Sequence, residues 1–142
     1  VSFSTPRFGR DRDDSIQDSV VPETSADKKS VHRSWWPGKG NRQWVQYDFP
    51  SDRSIGATEV YWFHDHPNGG CKVPDRWRLS YRKGDRWIPV ESEDAFGTEV
   101  DRFNRVKFEA VEARSFRLEV WLREGASSGI HEWKLAAPQP RK

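Results

Sequence analysis

The 142-residue chain contains a single cysteine, Cys71, and no methionine. One cysteine excludes an internal disulfide and a multi-cysteine zinc site. The sequence has no apolar run long enough for a transmembrane helix or for the core of a signal peptide. Because the first residue is Val1 rather than methionine, we interpret the chain as a mature fragment or an excised domain whose targeting signal lies elsewhere.

An excess of charge of either sign is also missing. The 24 basic and 22 acidic residues leave a net charge of +2. Nucleic-acid-binding proteins usually show a strongly basic face, so this balance does not predict nucleic acid as a partner. The charges are interspersed along the chain, which is typical of a solvated surface.

Aromatic residues, by contrast, are abundant, with eight tryptophans, eight phenylalanines and three tyrosines. The mean hydropathy is nevertheless strongly negative. A few large rings must therefore build the core inside a polar shell. The length suits one domain, and we expect a single module over residues 1–136, followed by a tail or linker over residues 137–142.

Hydrophobic residues alternate with polar ones in several short runs from Trp44 onward. Val45, Tyr47 and Phe49 share one face, and Pro50 is expected to end that run. No window shows a helical stripe of more than two turns. Similar runs, some buried on both sides, include residues 60–63, 77–81, 87–90, 106–108 and 116–122. Many short strands separated by turns predict an antiparallel sandwich or barrel, with residues 1–43 wrapping it as ordered loops.

Four segments, in the correct order, resemble the discoidin or coagulation-factor type C domain. They are "WVQYDF" (44–49), "VPDRWRLSYRKGDRWIPV" (73–90), "VEARSFRLEV" (111–120) and "SGIHEWKL" (128–135). The resemblance implies an all-β fold, an antiparallel, jelly-roll-like β-sandwich of the galactose-binding type with eight strands. It also implies a ligand site on the loops at one end.

The segments "HRSWWPGKGNRQWVQYDF" and "VYWFHDH" are similar to carbohydrate-binding modules of family 32 attached to bacterial glycoside hydrolases, notably the β-L-arabinofuranosidase-like family 127. This resemblance implies a non-catalytic, monomeric module that directs a parent enzyme to its polysaccharide. The partners would be carbohydrate and the parent catalytic domain, without nucleic acid or membrane. The expected location is secreted or periplasmic in a bacterium.

The loop from His64 to Gly70 follows a predicted buried strand. His64, Asp65, His66 and Asn68 can donate to and accept from sugar hydroxyls, and the two glycines of the loop permit close approach of the backbone. We predict that these four side chains contact the sugar. The alternative is a solvated hairpin loop that happens to contain histidine.

Trp35 and Trp36 form the second candidate. Sugar rings stack their C–H faces on exposed aromatic planes. Adjacent residues of an extended chain point in opposite directions, so one indole is expected in the core and the other partly exposed. We favour Trp36 for the exposed position, since Pro37 and Gly38 turn the chain beside it, and we expect both Trp62 and Trp77 in the core.

By analogy with the family, further loops flank the ligand. Arg102 and Asn104 lie in one of them, and Ser127 and Ser128 in another. Arg102 could pair with two hydroxyls or with a uronate, or it could be an ordinary surface arginine.

Relatives in the family often bind a structural calcium ion near the first loop. The matching positions are Asp18, near Gln17 and Val21, with Ser25 or Thr24, and Glu132 of the last strand. Oxygen ligands from a loop and a distant strand suit calcium. The sequence departs from the family in having Ser19 where glycine usually follows the aspartate.

Three other functions compete with sugar binding. His64 and His66 could form a metal pair aided by His32 or His131, but the sequence has no HExxH, phosphate-loop or serine-elbow motif of an enzyme. A structural domain packed on a glycoside hydrolase would leave an open apolar patch. A protein-binding discoidin domain is the third, whereas the polar candidate loops argue against a lipid-binding member.

Overall fold

The computed structural model describes residues 1–6, 11–18, 20–28 and 32–138, which contain seven strands and no α-helix. Residues 7–10, 19, 29–31 and 139–142 lie outside the described residues. The elements are β1 (Ser2–Phe3), a 3-10 helix (Asp13–Gln17), β2 (Arg33–Ser34), β3 (Arg42–Phe63), β4 (Arg76–Lys83), β5 (Arg86–Pro89), β6 (Phe103–Trp121) and β7 (Gly129–Ala136). No helix in these ranges is long and apolar enough to cross a membrane.

The strands pair in the order β2-β7-β3-β6-β4-β5, and β1 pairs with β3, with every paired strand antiparallel. The long strands β3 and β6 are each shared by two layers. Residues 42–48 of β3 pair with residues 115–121 of β6, which also pair with β4. Residues 57–63 of β3 pair with β7. The predicted antiparallel β-sandwich is therefore confirmed.

The prediction that Pro50 ends a strand is wrong. β3 continues past this residue, but its pairing with β6 shifts register between Asp48 and Arg53. Proline has no N–H to donate to a neighbouring strand, so it is accommodated where the regular pairing is interrupted. Because the chain stays extended through this register shift, β3 counts as one strand. The described residues therefore form seven strands rather than the eight that the resemblance implied.

Trp62 and Trp77 join the two layers in the core, as predicted from the sequence. Both indoles are buried, and their ring centroids lie 5.7 Å apart in an edge-to-face arrangement. Both indole N–H groups donate to the carbonyl of Gly97, at 3.2 and 2.8 Å. Each buried indole thus keeps a hydrogen bond, and the segment before β6 is fixed to the core at Gly97.

A second aromatic pair joins the layers on the other side. The ring of Tyr47 stacks on that of Trp133 with centroids 4.1 Å apart, and its hydroxyl donates to the Trp133 carbonyl at 2.7 Å. The Trp133 indole N–H donates to Thr58 Oγ1 at 2.9 Å. Each of these large rings buries a large apolar area in a chain of polar composition.

The N-terminal segment is ordered against one end of the sandwich, where β3 ends and β7 begins. The Ser25 carbonyl accepts hydrogen bonds from the His64 N–H at 2.9 Å and from His131 Nε2 at 3.1 Å. His131 is buried on β7. Burial lowers the pKa of His131 to about 4, against the opposing effect of the Ser25 hydrogen bond, so the ring is neutral at pH 7.

The depressed pKa of His131 makes stability depend on pH. The unfolded chain binds a proton near the ordinary value of 6.5, whereas the folded chain does so only near 4. The free energy of unfolding is therefore full above pH 6.5 and falls by roughly 3 kcal/mol as the pH drops to about 4. His131→Gln, which keeps an N–H donor for Ser25, should remove this part of the pH dependence. Urea titrations between pH 4 and pH 7 will measure the free energy of unfolding of both proteins. If it depends on pH in the same way in both, the pH dependence does not come from His131.

Candidate functional site

A cleft opens at the end of the sandwich that carries the N-terminal segment. It consists of two adjoining cavities of about 340 and 550 Å³, and Lys28 and Asp65 border both. The first, or inner, cavity is also lined by Asp11, His32, Ser34, Trp36, Phe63, Gly70 and Cys71. The second, or outer, cavity is also lined by Glu23, Thr24, Ala26, Asp27 and Asn68. Together they form the end-loop cleft.

The carboxylate of Asp11 forms a polar wall of the inner cavity. One of its oxygens accepts hydrogen bonds from the N–H of Ser34 at 3.1 Å and from the Ser34 hydroxyl at 2.8 Å. The other lies 3.6 Å from His32 Nε2. The His32 ring is stacked on Phe63, with centroids 3.7 Å apart. An acceptor and an imidazole are therefore held in fixed positions over an apolar base.

Asp65 organises the loop from His64 to Gly70. Its Oδ1 accepts from the Cys71 N–H at 2.9 Å, and its Oδ2 lies 3.5 Å from Lys28 Nζ. A Cβ on Gly69 would come within 1.9 Å of this carboxylate, so only glycine fits there without a shift of the loop. The carboxylate is thus oriented by the backbone while it borders both cavities.

Trp36 is partly exposed and lines the inner cavity, whereas Trp35 is fully buried, as expected of adjacent residues in an extended chain. The rim of the Trp36 ring packs against Gly70, where a Cβ would lie 2.2 Å from Cζ3. The Lys39 ammonium lies 4.7 Å from the ring centroid. The tryptophan pair and the histidine loop therefore meet at the same end of the molecule. Trp35 is corrected from a binding candidate to a core residue whose indole N–H donates to the Trp44 carbonyl.

The two loop histidines differ in their surroundings, and the sugar contact of His66 stays a prediction. His64 Nδ1 accepts a hydrogen bond from the Val73 N–H at 3.0 Å, and burial followed by the proximity of His66 lowers the His64 pKa. The His66 ring is exposed and 6.3 Å from that of His64. Neither imidazole is among the residues that line the cleft. Within the described ranges, no group of three or more His, Cys, Asp or Glu residues is arranged to hold a metal ion, so a histidine metal pair gains no support.

Four further candidates are not among the residues that line the cleft. Asn104 is buried, where Oδ1 accepts from the Glu99 N–H at 2.9 Å and Nδ2 donates to the Glu99 carbonyl at 3.0 Å. Arg102 is exposed and pairs with Glu99 at 3.0 Å. Ser127 and Ser128 are buried in the interior. Asn104 therefore shapes its own loop, and the two serines are inaccessible to a ligand.

The structure adds cleft residues that the sequence did not single out for contact with a sugar. Asp11, Lys28 and His32 lie in a segment whose composition resembles that of a disordered tail. No local pattern pairs Asp11 with Ser34, which is 23 residues away. Only the folding of the segment onto the end of the sandwich brings these side chains together.

The three predicted calcium ligands have different surroundings. Asp18 follows the 3-10 helix and accepts from the Val20 N–H at 2.9 Å. Glu132 is buried on β7, which packs against that helix. Ser25 is also bonded to the Asp101 loop, because its hydroxyl accepts from the Asp101 N–H and its N–H donates to Asp101 Oδ1, both at 2.7 Å. Asp18, Ser25 and Glu132 stay a prediction as calcium ligands.

No family model matches the sequence. The fold, however, is similar to solved structures from carbohydrate-active proteins. A structure of the Streptococcus pneumoniae β-galactosidase BgaA is 15% identical, with a TM-score of 0.76 over 96% of this chain and 89% of that chain. The family 32 carbohydrate-binding module of C. perfringens NanJ, in complex with galactose, is 13% identical, with a TM-score of 0.68 over 94% and 90%.

Chitosan-binding module 2 of a chitosanase/glucanase from Paenibacillus sp. IK-5, in complex with chitotriose, is 15% identical, with a TM-score of 0.66 over 96% of this chain and 94% of that chain. At these identities the similarity concerns the fold. The predicted galactose-binding-like sandwich is confirmed, and the structural neighbours include carbohydrate-binding modules.

The hydrogen bond from Cys71 to Asp65 yields a prediction about the cleft. Asp65→Ala leaves the buried Cys71 N–H without its acceptor and should lower the free energy of unfolding by about 1–3 kcal/mol. Asp65→Asn keeps an acceptor oxygen and should cost less. The control is Asp75→Ala, which removes an exposed aspartate just beyond the loop. It should change the free energy of unfolding by less than about 0.5 kcal/mol. Urea denaturation of the three variants provides the measurement, and equal losses in all of them would contradict the role of Asp65.

Proposed function

We propose that the protein is a non-catalytic carbohydrate-binding module whose end-loop cleft binds a terminal or side-chain sugar. The observation that carries the proposal is the inner cavity, where the partly exposed Trp36 stands beside two carboxylates held by backbone N–H groups. An indole offers an apolar plane to C–H groups. The carboxylates of Asp11 and Asp65 accept from hydroxyls, and Lys28 donates to them.

The cleft suits binding rather than reaction. Its polar groups are already engaged by the protein, as Asp11 is by Ser34 and Asp65 by Cys71, so they are oriented before a ligand arrives. Burial raises the pKa of the Cys71 thiol to about 12, so this group is no thiolate nucleophile at pH 7. An open cleft with few contacts should bind a sugar with a Kd of about 0.1–1 mM.

We further propose that the module is part of an exported bacterial protein. It would direct the glycan-degrading catalytic domain of that protein to its polysaccharide. Support comes from the similar structures, since those from S. pneumoniae and Paenibacillus belong to a β-galactosidase and to a chitosanase/glucanase. The family 127 parent rests on the sequence resemblance alone. A structural domain that packs on a catalytic domain is the alternative, and it requires a broad apolar surface. The large hydrophobic residues that are exposed in the described ranges are four valines, Val1, Val20, Val21 and Val100.

Replacing Trp36 tests the cleft directly. Trp36→Ala should raise the Kd for the bound sugar at least tenfold, because the apolar wall of the inner cavity is lost. Trp36→Phe keeps a smaller ring and should bind with intermediate affinity. A glycan array with the isolated chain identifies the sugar, and isothermal titration calorimetry then compares the variants.

Phe108→Ala is the matched control, because it removes a half-buried aromatic ring from β6, away from the cleft. Its sugar affinity should equal that of the unmodified protein. Equal affinity in Trp36→Ala, or hydrolysis of a glycoside panel by the isolated chain, would overturn the proposal.

The calcium site is proposed on Asp18 and Glu132 and has its own test. A calcium ion held between the 3-10 helix and β7 would bind only the folded chain and would raise its stability. We expect a chelator to lower the melting temperature and added calcium to restore it. Glu132→Gln, which keeps the shape of the buried side chain, should make the melt insensitive to both. Identical melting temperatures of the unmodified protein with chelator and with calcium would contradict the proposed calcium site.

A further inference from the structure

The outward face of one layer carries a concentration of arginine and tryptophan that the cleft does not use. Side chains alternate along a strand, so residues 42–48 of β3, 115–121 of β6 and 76–82 of β4 present every second residue outward. The arginines there are Arg42, Arg76, Arg78, Arg82 and Arg117. The indoles are Trp44 and Trp121, with Trp87 of β5 opposite Arg82. We call this surface the arginine-tryptophan face.

The guanidinium groups of this face lie over the indole rings. Arg76 lies 4.1 Å from the centroid of Trp121, and Arg117 lies between Trp44 and Trp87, at 4.2 and 4.3 Å. A stacked guanidinium keeps its N–H donors at its edge. Arg117 donates from Nε and Nη2 to Gln46 Oε1 at 3.0 and 2.7 Å, so the exposed Arg76 and Arg82 offer the face more donors for an anion. The rings therefore hold the planar forks in place before any ligand binds.

The acidic residues of the face neutralise only part of its charge. Glu119 is buried and pairs with Arg42 and with Arg78, whose Nε lies 3.2 Å away. It also accepts from the Ser80 hydroxyl at 3.1 Å. Asp48 accepts from Ser115 at 2.6 Å. The two carboxylates face five arginines, and Arg76 and Arg82 are exposed.

The arginines repel one another across the face. Burial and the charges of Arg42 and Arg76 lower the pKa of Arg78. Burial also lowers the pKa of Arg117, with the charges of Arg42 and Arg82 acting in the same direction and that of Asp48 opposing them. A bound anion would relieve this repulsion. Near the end of β4 the face has a cavity of about 300 Å³ that is lined by Arg82, Arg114, Ser115, Gly84 and Asp52.

We propose that the arginine-tryptophan face binds an acidic polysaccharide through the carboxylates of its uronic acid units, at a second site distinct from the end-loop cleft. The planar fork of arginine matches a carboxylate in a bidentate pair. The face is about 20 Å long, since it spans six residue steps of an extended strand. A nucleic acid fits less well, because Arg117 covers the Trp44 and Trp87 faces on which bases would stack.

Polygalacturonate and its methyl ester test the proposal, because the two polymers share a backbone and differ in charge. The protein should bind polygalacturonate in affinity electrophoresis, and the ester at least tenfold more weakly. Binding should weaken as NaCl is raised from about 50 to about 500 mM, since the contacts are exposed charges. Single-stranded oligothymidylate serves as the competing polyanion.

Arg76→Gln combined with Arg82→Gln should weaken binding to polygalacturonate at least tenfold, with an unchanged melting temperature. The matched control, Arg105→Gln with Lys107→Gln, removes the same charge from exposed positions of β6 in the other layer and should bind normally. Trp36→Ala should also bind polygalacturonate normally, which separates this site from the cleft. The proposal fails if polygalacturonate does not bind, if the ester or oligothymidylate binds as tightly, or if both double variants lose affinity equally.

Discussion

The end of the sandwich depends on one carbonyl oxygen, that of Ser25. It accepts from the His64 N–H at the start of one cleft loop and from the buried His131 ring on β7. A single backbone group of the N-terminal segment is therefore tied to both strands that border the cleft. These bonds act together with the burial of Ile16 in the core and with the hydrogen bonds between Ser25 and Asp101. They order a segment whose composition alone is that of a disordered chain.

Large rings contribute to the rigidity behind the cleft, together with the aliphatic side chains of the core. Trp62 and Trp77 share the Gly97 carbonyl, and Tyr47 is stacked on Trp133. Each aromatic pair contributes about 1 kcal/mol beyond the area that it buries, and the shared hydrogen bonds fix its orientation. A chain of strongly negative mean hydropathy can therefore still hold two sheet layers in register and present fixed loops at their end.

The alternation of buried and exposed side chains along each strand was predictable from the sequence, because it depends only on neighbouring residues. It identified the core positions of Trp62 and Trp77, and it predicted that one indole of the Trp35-Trp36 pair would be buried. The end of the strand at Pro50 was mispredicted, because the proline marks only an interruption of the pairing with β6 and the strand continues beyond it. Asp11 and His32 were not predicted to line the cleft, because their partners are distant along the chain. Asn104 was misassigned because an amide that could bind a hydroxyl serves its own backbone equally well.

Net charge conceals how the charges of this chain are distributed. The sum of +2 argues against a polyanionic partner, yet it averages over surfaces of different character. The end-loop cleft is bordered by Asp11 and Asp65 with Lys28, whereas the outward face of β3, β4 and β6 sets five arginines against two carboxylates. Charged groups more than about 8–10 Å apart are largely screened from one another in physiological salt, so each surface attracts ligands by its own composition. A neutral sugar and an acidic polymer are thus compatible ligands of one small domain, because the sandwich separates the groups that would bind them.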